Sequence, residues 1–151
     1  MEWKLKTFEQ LTNLEVYNIL KQRTNVFVVE QNCPYEEVDG YDLSSHHLFK
    51  EVAGDVVAYL RILPSQLKYK ECSIGRVIVK KEYRGTGLAK EMLKQAIDFI
   101  ENNLNEGEIK IQAQQYLEQF YGSFGFKTIS EVYLEDEIPH IDMIYKSKEV
   151  S

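Results

Sequence analysis

The sequence predicts an α+β fold, in which one sheet is flanked by a few helices, for a chain of 151 residues. Segments with strand-type alternation or β-branched runs outnumber those with helical spacing. Their order, β-α-β-β-β-α-β-α-β-β, also departs from the regular alternation of a doubly wound fold. Because the length is that of one ordinary domain and no linker or repeat interrupts it, we expect residues 1–151 to form a single domain.

The first half of the chain predicts a strand, a helix and a strand pair. The segment WKLKTF alternates apolar and polar residues from Trp3 to Phe8, as a half-buried strand does. The sequence TNLE, Thr12 to Glu15, fits a capping box and begins a helix that ends near Arg23. The apolar run VFVVEQ then gives way to an acidic loop, and HHLFKEVAGDVVAYLRIL predicts two strands joined at Ala53 to Asp55.

The second half alternates strands and helices. The β-branched segment from Cys72 to Lys80 predicts a strand, and from Gly87 to Leu104 apolar residues recur at the spacing of an amphipathic helix. EGEIKIQAQ predicts another strand, and YLEQFYGSF a short helix that Gly125 ends. The remaining residues predict a closing pair of strands around an acidic loop.

Composition excludes several classes of protein. A hydrophobic content of 44% is that of a globular chain, and the net charge of −6 disfavours nucleic acid as a partner. The sequence has neither an apolar run of membrane-spanning length nor the apolar core of a signal peptide, so we expect no membrane association and a cytoplasmic location. Cys33 and Cys72 lack ligand spacing, which predicts neither a disulfide framework nor a metal site.

The segment EYRGTGLAKEML places Gly85 and Gly87 in a turn directly before the long helix. It lacks the lysine position of a Walker A loop and the third glycine of a dinucleotide fingerprint. The first turn of a helix offers free N–H groups and the positive end of the helix dipole, so it binds pyrophosphate without a large positive charge. The alternative is that both glycines only close a tight turn.

The run Arg84-Gly85-Thr86-Gly87-Leu88-Ala89 resembles the R/Q-x-x-G-x-G/A signature of the GNAT superfamily of acyl-CoA-dependent N-acetyltransferases. QQYLEQFYGSFGF, from Gln114 to Phe126, resembles its second signature, an aromatic helix that ends in a Gly-Phe turn. VFVVEQNCPYEEVDGYD and EDEIPHIDM are similar to the ElaA-like branch. The resemblance implies the GNAT fold, a mixed and mostly antiparallel sheet flanked by helices, across nearly the whole chain.

It also implies an activity and a cofactor site. We expect transfer of acetyl from acetyl-CoA directly to an amine of a small molecule or peptide, without a metal. In the family, two neighbouring strands splay apart to admit the pantetheine arm, while the glycine turn holds the pyrophosphate. The cofactor-binding residues so implied are Val77, Ile78, Val79, Arg84, Gly85, Thr86, Gly87, Leu88, Ala89, Lys90 and Gln114.

Catalytic roles follow the same resemblance. Tyr121 matches the tyrosine that acts as general acid toward the leaving thiolate, although its helical spacing also suits a core aromatic residue. The glutamate base of many members is replaced by Ile109. The candidate bases are therefore Glu30 and His140, with Asp39 behind them, and a water chain is a further route for the proton.

Two other functions share parts of this pattern. An acyl-homoserine-lactone-type synthase has the same fold and would prefer long acyl donors, whereas a non-catalytic acyl-CoA-binding module would bind CoA without turnover. The acidic runs Glu36-Glu37 and Glu135-Asp136-Glu137 are either solvated loops or the border of a site for cationic amines. Dimers are frequent among similar proteins, so a homodimer is a further expectation.

Overall fold

The computed structural model describes residues 3–31 and 37–147, and within them the chain forms one mixed sheet of eight strands. The strands are β1 (Lys4–Thr7), β2 (His46–Val52), β3 (Asp55–Leu63), β4 (Cys72–Val79), β5 (Glu108–Gln114), β6 (Lys127–Thr128), β7 (Tyr133–Glu135) and β8 (Ile138–Lys146). They follow one another across the sheet in the order β1-β2-β3-β4-β5-β8-β6, and β7 pairs with β8. Every pairing is antiparallel except that between β4 and β5.

Three α-helices flank the sheet in the described residues: α1 (Asn13–Arg23), α2 (Leu88–Asn102) and α3 (Glu118–Gly122). The expected capping box of α1 is confirmed, because the Glu15 amide donates to Thr12 Oγ1 at 3.1 Å and the Thr12 amide to Glu15 Oε1 at 2.9 Å. The apolar face of α2 is buried against the sheet, and each fully buried leucine, isoleucine or methionine stabilises the fold by roughly 1.5–3 kcal/mol. Its buried residues are Met92, Leu93, Ala96, Ile97 and Ile100.

The two faces of the sheet have different interiors. The face toward α2 packs a large aliphatic cluster that includes Leu60, Ile62, Ile111 and Met143. The face toward α1 carries a smaller apolar cluster around Tyr59 together with buried charged side chains. Because side chains alternate along a strand, β3, β5 and β8 each contribute to both faces. A single strand can therefore place polar side chains on the α1 face and apolar side chains on the α2 face.

The parallel strands β4 and β5 pair only at one end. Their register covers Cys72 with Ile109 and Ser73 with Lys110, and no pairing follows beyond these positions among the described residues. The backbone of β4 from Ile74 to Val79 thus has a partner strand, β3, on one side alone. This divergence opens the sheet in its middle and confirms the splayed strands that the family resemblance implies.

Two sequence expectations need correction. The run after Arg23 does not leave the helix: Thr24–Glu30 continues α1 as wider π-helical turns, and Val26 and Phe27 are buried. Its β-branched residues carry no helical period, so tertiary packing decides their conformation. The closing region holds three strands rather than two, because β6 also pairs with β8, and two residues are too few to produce an alternating pattern.

The loop that the sequence predicts after Gln31 lies partly outside the described residues, as does Cys33. No helix within residues 3–31 and 37–147 is both long and apolar enough to cross a membrane.

Candidate active site

A cleft of about 660 Å³ lies where β4 and β5 diverge, which is within the usual range for small-molecule sites. It receives residues from the π-helical extension of α1, from β3 and the β3–β4 connection, and from β4. Further residues come from the turn before α2 and the start of α2, from β5, from α3 and from the β7–β8 hairpin. Of the site residues expected from the sequence, all line it except Thr86 and the third candidate base, Asp39. Those that line it are Glu30, Val77, Ile78, Val79, Arg84, Gly85, Gly87, Leu88, Ala89, Lys90, Gln114, Tyr121 and His140.

The glycine turn forms one end of the cleft, called here the donor end. Gly85 and Gly87 have φ angles of +80° and +87°, which side chains rarely tolerate, so glycine is required at both positions. A Cβ atom on either glycine would meet no atom within 4 Å and would stand in open space. α2 begins at Leu88, so the N–H groups of its first turn face this space without helical partners. The turn therefore fits a pyrophosphate group.

Thr86 and Arg84 shape this turn from within. The Thr86 hydroxyl donates to the Tyr83 carbonyl at 2.6 Å, which turns it back toward the chain. Arg84 Nε donates to the Val79 carbonyl at 2.9 Å and ties the turn to the end of β4. Thr86 is thus placed to hold the shape of the turn through its side chain.

Glu30 and Gln31 connect the two diverging strands. The Glu30 carboxylate accepts two hydrogen bonds from Arg84, at 2.8 and 3.0 Å. The side-chain amides of Gln31 and Gln114 donate to each other at 3.4 and 3.3 Å. The hydrogen bonds and charge of Arg84 lower the pKa of Glu30, which makes its carboxylate a weaker base.

Tyr121 reaches the cleft from the α2 face. Only 5% of its surface is exposed, and its ring meets Phe120 and Phe126 edge to face at centroid distances of 5.3 and 5.8 Å. Burial raises the pKa of its phenol, so the hydroxyl keeps its proton at neutral pH. Tyr121 is a packed core residue that also lines the cleft, so its packing does not exclude the catalytic role that the resemblance implies.

His140 reaches the cleft from the opposite face, since its neighbour Ile141 is buried in the cluster beneath α2. Its Nδ1 lies 2.7 Å from the Ile138 carbonyl, which can only accept a hydrogen bond. In the neutral ring the proton is therefore on Nδ1, and Nε2 carries a free lone pair. The ring stacks on Tyr133 at a centroid distance of 6.2 Å, which limits its rotation. The imidazole of His140 and the phenol of Tyr121 thus flank the cleft from opposite sides of the sheet.

Comparison with known proteins agrees with this architecture. Residues 9–147 match the family described as the acetyltransferase (GNAT) domain. The chain belongs to the GNAT acetyltransferase family.

Several proteins are similar to this GNAT chain over nearly their whole length. Protein ElaA of Escherichia coli K12 is 38% identical, with 95% of each chain covered, and its crystal structure superposes with a TM-score of 0.90. A protein of Schizosaccharomyces pombe, UPF0039 protein C11D3.02c, is 39% identical over 95% of each chain. The crystal structure of an acyl-CoA N-acyltransferase from Pseudomonas aeruginosa is 41% identical, covers 96% of this chain and 99% of its own, and has a TM-score of 0.91.

Two further positions bear on the identity of the base in this GNAT protein: Ile109, which replaces the family's glutamate, and Asp39, the third candidate. Ile109 is fully buried in the cluster beneath α2, where it packs and supplies no proton acceptor. Burial alone would raise the pKa of Asp39, yet hydrogen bonds from Arg61 and the charge of Arg76 hold it at about 2. The Asp39 carboxylate is therefore a poor base at neutral pH.

A buried charged cluster beneath the cleft was not found from the sequence. Arg61 Nη1 donates to Asp39 at 2.8 Å and to Asp42 at 3.0 Å, and Arg23 Nη1 donates to Asp42 at 2.7 Å. Three arginines and three carboxylates take part: Arg23, Arg61, Arg76, Glu37, Asp39 and Asp42. The signal available in the sequence was an arginine inside the apolar strand AYLRIL, since an unpaired charge is not buried at such a position.

This cluster reaches β4 through Arg76. Two residues of β4, Arg76 and Val77, stand opposite Leu60 alone, and Arg76 has a φ of +53°. Such a conformation costs about 1–3 kcal/mol in a residue other than glycine. Arg76 Nε lies 2.9 Å from a Glu37 carboxylate oxygen, and its guanidinium also contacts Asp39. The buried ion pairs offset this strain and fix the bulge beside the cleft.

Proposed function

We propose that the protein transfers the acetyl group of acetyl-CoA directly to an amine of a small molecule or peptide. The observation that carries this proposal is the gap between β4 and β5, with the glycine turn at one end and Tyr121 and His140 on opposite faces. The family supports acyl transfer in general, and this geometry supports a complex in which donor and acceptor are held together.

Acyl-CoA, when bound, supplies a thioester as the acyl donor. The N–H groups of Leu88, Ala89 and Lys90 would hold its pyrophosphate, since they are free at the start of α2. The unpaired edge of β4 at Val77, Ile78 and Val79 would hydrogen-bond the pantetheine arm as an added strand does. The same edge offers backbone N–H groups near the reacting carbonyl, where they would stabilise negative charge.

The side chains at the centre move protons. The Nε2 atom of His140 would take the proton of the attacking amine, because its lone pair is free and the ring lines the cleft. Tyr121, protonated at neutral pH, would donate to the departing thiolate. A covalent route through Cys72 is disfavoured, since this thiol is fully buried and burial raises its pKa to about 12.

An assay of free thiol release with acetyl-CoA and a broad panel of amines tests the proposal, together with calorimetry of CoA binding. We expect CoA binding and amine-dependent thiol release. CoA binding without thiol release for any amine would indicate a non-catalytic binding module. Preference for long acyl donors would indicate a synthase of the acyl-homoserine-lactone type. Absence of CoA binding would refute the proposal altogether.

Tyr121→Phe separates catalysis from binding. A thiol is a fair leaving group with a pKa near 8.5, so we expect kcat to fall by about 10- to 100-fold with CoA affinity retained. Tyr145→Phe is the matched control, because that hydroxyl donates to Glu101 at 2.7 Å and does not line the cleft. Equal kcat in both variants would show that the Tyr121 hydroxyl takes no part in catalysis and that the residue only packs in the core.

A further inference from the structure

The end of the cleft away from the glycine turn, called here the acceptor end, is lined by ionised side chains from several elements. Arg61 comes from β3, Arg76 from β4 and Lys68 from the β3–β4 connection. Glu135 and Asp136 come from the β7–β8 hairpin, whose second strand carries His140, and all three residues line the same cleft. This set contains both cations and anions.

The two arginines at this end are already neutralised. Arg61 is bound by Asp39 and Asp42, and Arg76 by Glu37 and Asp39. Their charges therefore belong to the buried cluster and are not available to a ligand without breaking it. Removing one partner from such a buried ion pair is costly, so the cluster acts as a fixed wall.

Lys68 is different. Within residues 3–31 and 37–147 its ammonium makes no ion pair or hydrogen bond. It lies 5.4 Å from the ring centre of Tyr69 and 5.9 Å from that of Tyr41, which hold it by cation–π contact. Although much of the side chain is exposed, partial burial of the ammonium lowers its pKa. An anionic oxygen beside it would restore the lost solvation.

The hydroxyl of Tyr69 is a second observation at the same place. It is buried and has no hydrogen-bond partner in the part of the chain that the structure describes. A buried hydroxyl without a partner costs free energy, and Tyr69 lines the cleft beside Lys68. A cation and an unsatisfied hydroxyl thus lie together at the acceptor end.

Glu135 supplies the opposite charge. Its carboxylate also makes no ion pair among the described residues, and it does not pair with Lys68. It lies on the hairpin that carries His140, the candidate base. An ammonium group attracted by Glu135 would arrive close to the Nε2 lone pair that takes its proton.

From this arrangement we infer that the acceptor carries an anionic oxygen group as well as its amine, with the anion bound at Lys68 and the amine directed to Glu135 and His140. This inference rests on the proposed function. Amino acids have this combination of groups with a carboxylate, and aminoalkyl phosphates have it with a phosphate. The acceptor end recognises the shared feature, an anionic oxygen at a short distance from an amine.

The test uses matched acceptors in the thiol-release assay. One arm compares amino acids with their carboxamides, and the other compares aminoalkyl phosphates with the parent amino alcohols. We expect the anionic member of at least one arm to have the higher kcat/KM, by about tenfold or more, since a hydrogen bond to a charged group has about this effect.

Lys68→Met should abolish this preference by lowering kcat/KM for the anionic acceptor alone, mainly through KM. Lys68→Arg should retain it. Lys70→Met is the matched control, because Lys70 belongs to the same connection and does not line the cleft.

The possible failures are distinguishable. Equal turnover of charged and neutral acceptors by the wild type would overturn the inference while leaving amine acetylation intact. The same holds if Lys68→Met lowers turnover of both members equally. Turnover restricted to amines without an anionic group would also overturn it. Absent CoA binding, or CoA binding without turnover of any amine, would instead count against the proposed function.

Discussion

The donor end and the acceptor end of the cleft are built from different parts of the chain. The donor end is made of backbone: two glycines at positive φ, the first N–H groups of α2 and the unpaired edge of β4. The acceptor end is made of charged side chains. Beneath it lies the buried charged cluster, which includes Arg23, Arg61 and Asp42.

Under the proposed function, the donor end would bind a ligand common to a whole family with few demands on side chains, because each residue carries the same N–H group. Ligand recognition at the acceptor end would instead depend on which side-chain charges are neutralised within the protein and which can bind a ligand. Substitutions at one end should accordingly change donor binding, whereas substitutions at the other change acceptor use or stability.

The largest expected effect is at the donor end, with Gly87→Val. A valine at a φ of +87° is strained, and its side chain would occupy the open space in the turn. We expect CoA affinity, measured by calorimetry, to fall by about a hundredfold or more, since several charge-assisted hydrogen bonds are lost.

Gly54→Val is the control for strain. Gly54 lies in the turn between β2 and β3 with a φ of +84° and the same open surroundings, away from the cleft. It should lose similar thermal stability and keep its CoA affinity. Normal CoA binding by Gly87→Val would show that the turn does not hold the pyrophosphate.

The second largest effect is expected for His140→Gln, which should change the use of the acceptor and leave donor binding intact. Loss of the proposed general base should lower kcat/KM for the amine by about a hundredfold while CoA affinity stays unchanged. His46→Gln is the matched control, because His46 contacts Phe99 on the other side of the sheet and does not line the cleft. Wild-type kcat/KM in His140→Gln would remove His140 from the mechanism.

Asp39→Asn should change stability with little effect on CoA. The pKa of Asp39 is about 2 in the folded protein, below that of an unfolded aspartate near 3.9. Its contribution, about 2 kcal/mol, is therefore complete above pH 4 and is lost as the pH falls toward 2. Urea midpoints should show that the variant is less stable at pH 7 and that its deficit narrows by pH 3. A constant deficit at both pH values would contradict this assignment.

Glu30→Gln should have the smallest effect. The ion pair with Arg84 is about 40% exposed on each side, and exposed pairs contribute at most about 1 kcal/mol. We expect kcat/KM and CoA affinity within about fivefold of wild type. A loss near a hundredfold in kcat/KM, with His140→Gln little affected, would make Glu30 the base instead.

The same contrast explains what could be predicted from the sequence. The sequence predicted a tight turn at Gly85 and Gly87, and both residues have the positive φ that favours glycine. The residues that the family resemblance named around this turn line one end of the cleft, with the exception of Thr86. The capping box at Thr12 located the start of α1, since it is a local interaction. Both features depend on residues that are close in the chain.

The acceptor end could be predicted only in part from the sequence, because it is formed by contacts between segments that are distant in the chain. Arg61 and Asp42 are 19 positions apart and Lys68 meets Tyr41 from another loop. Glu30 and Gln114 each matched a motif, but their partners Arg84 and Gln31 follow only from the fold. The π-helical turns after Arg23 were missed for the same reason, since packing and not local propensity decides them.

The hairpin that carries Glu135 has an evolutionary consequence. Asp136 and Glu137 form its whole turn, and both have a positive φ. The hairpin lies at the edge of the cleft, where its strand β7 pairs with β8. Short surface hairpins accept exchange and insertion more readily than the strands that support them. Under the proposed function, descendants of this chain could therefore acquire new acceptors by altering a few exposed residues, while the glycine turn would continue to bind the same donor.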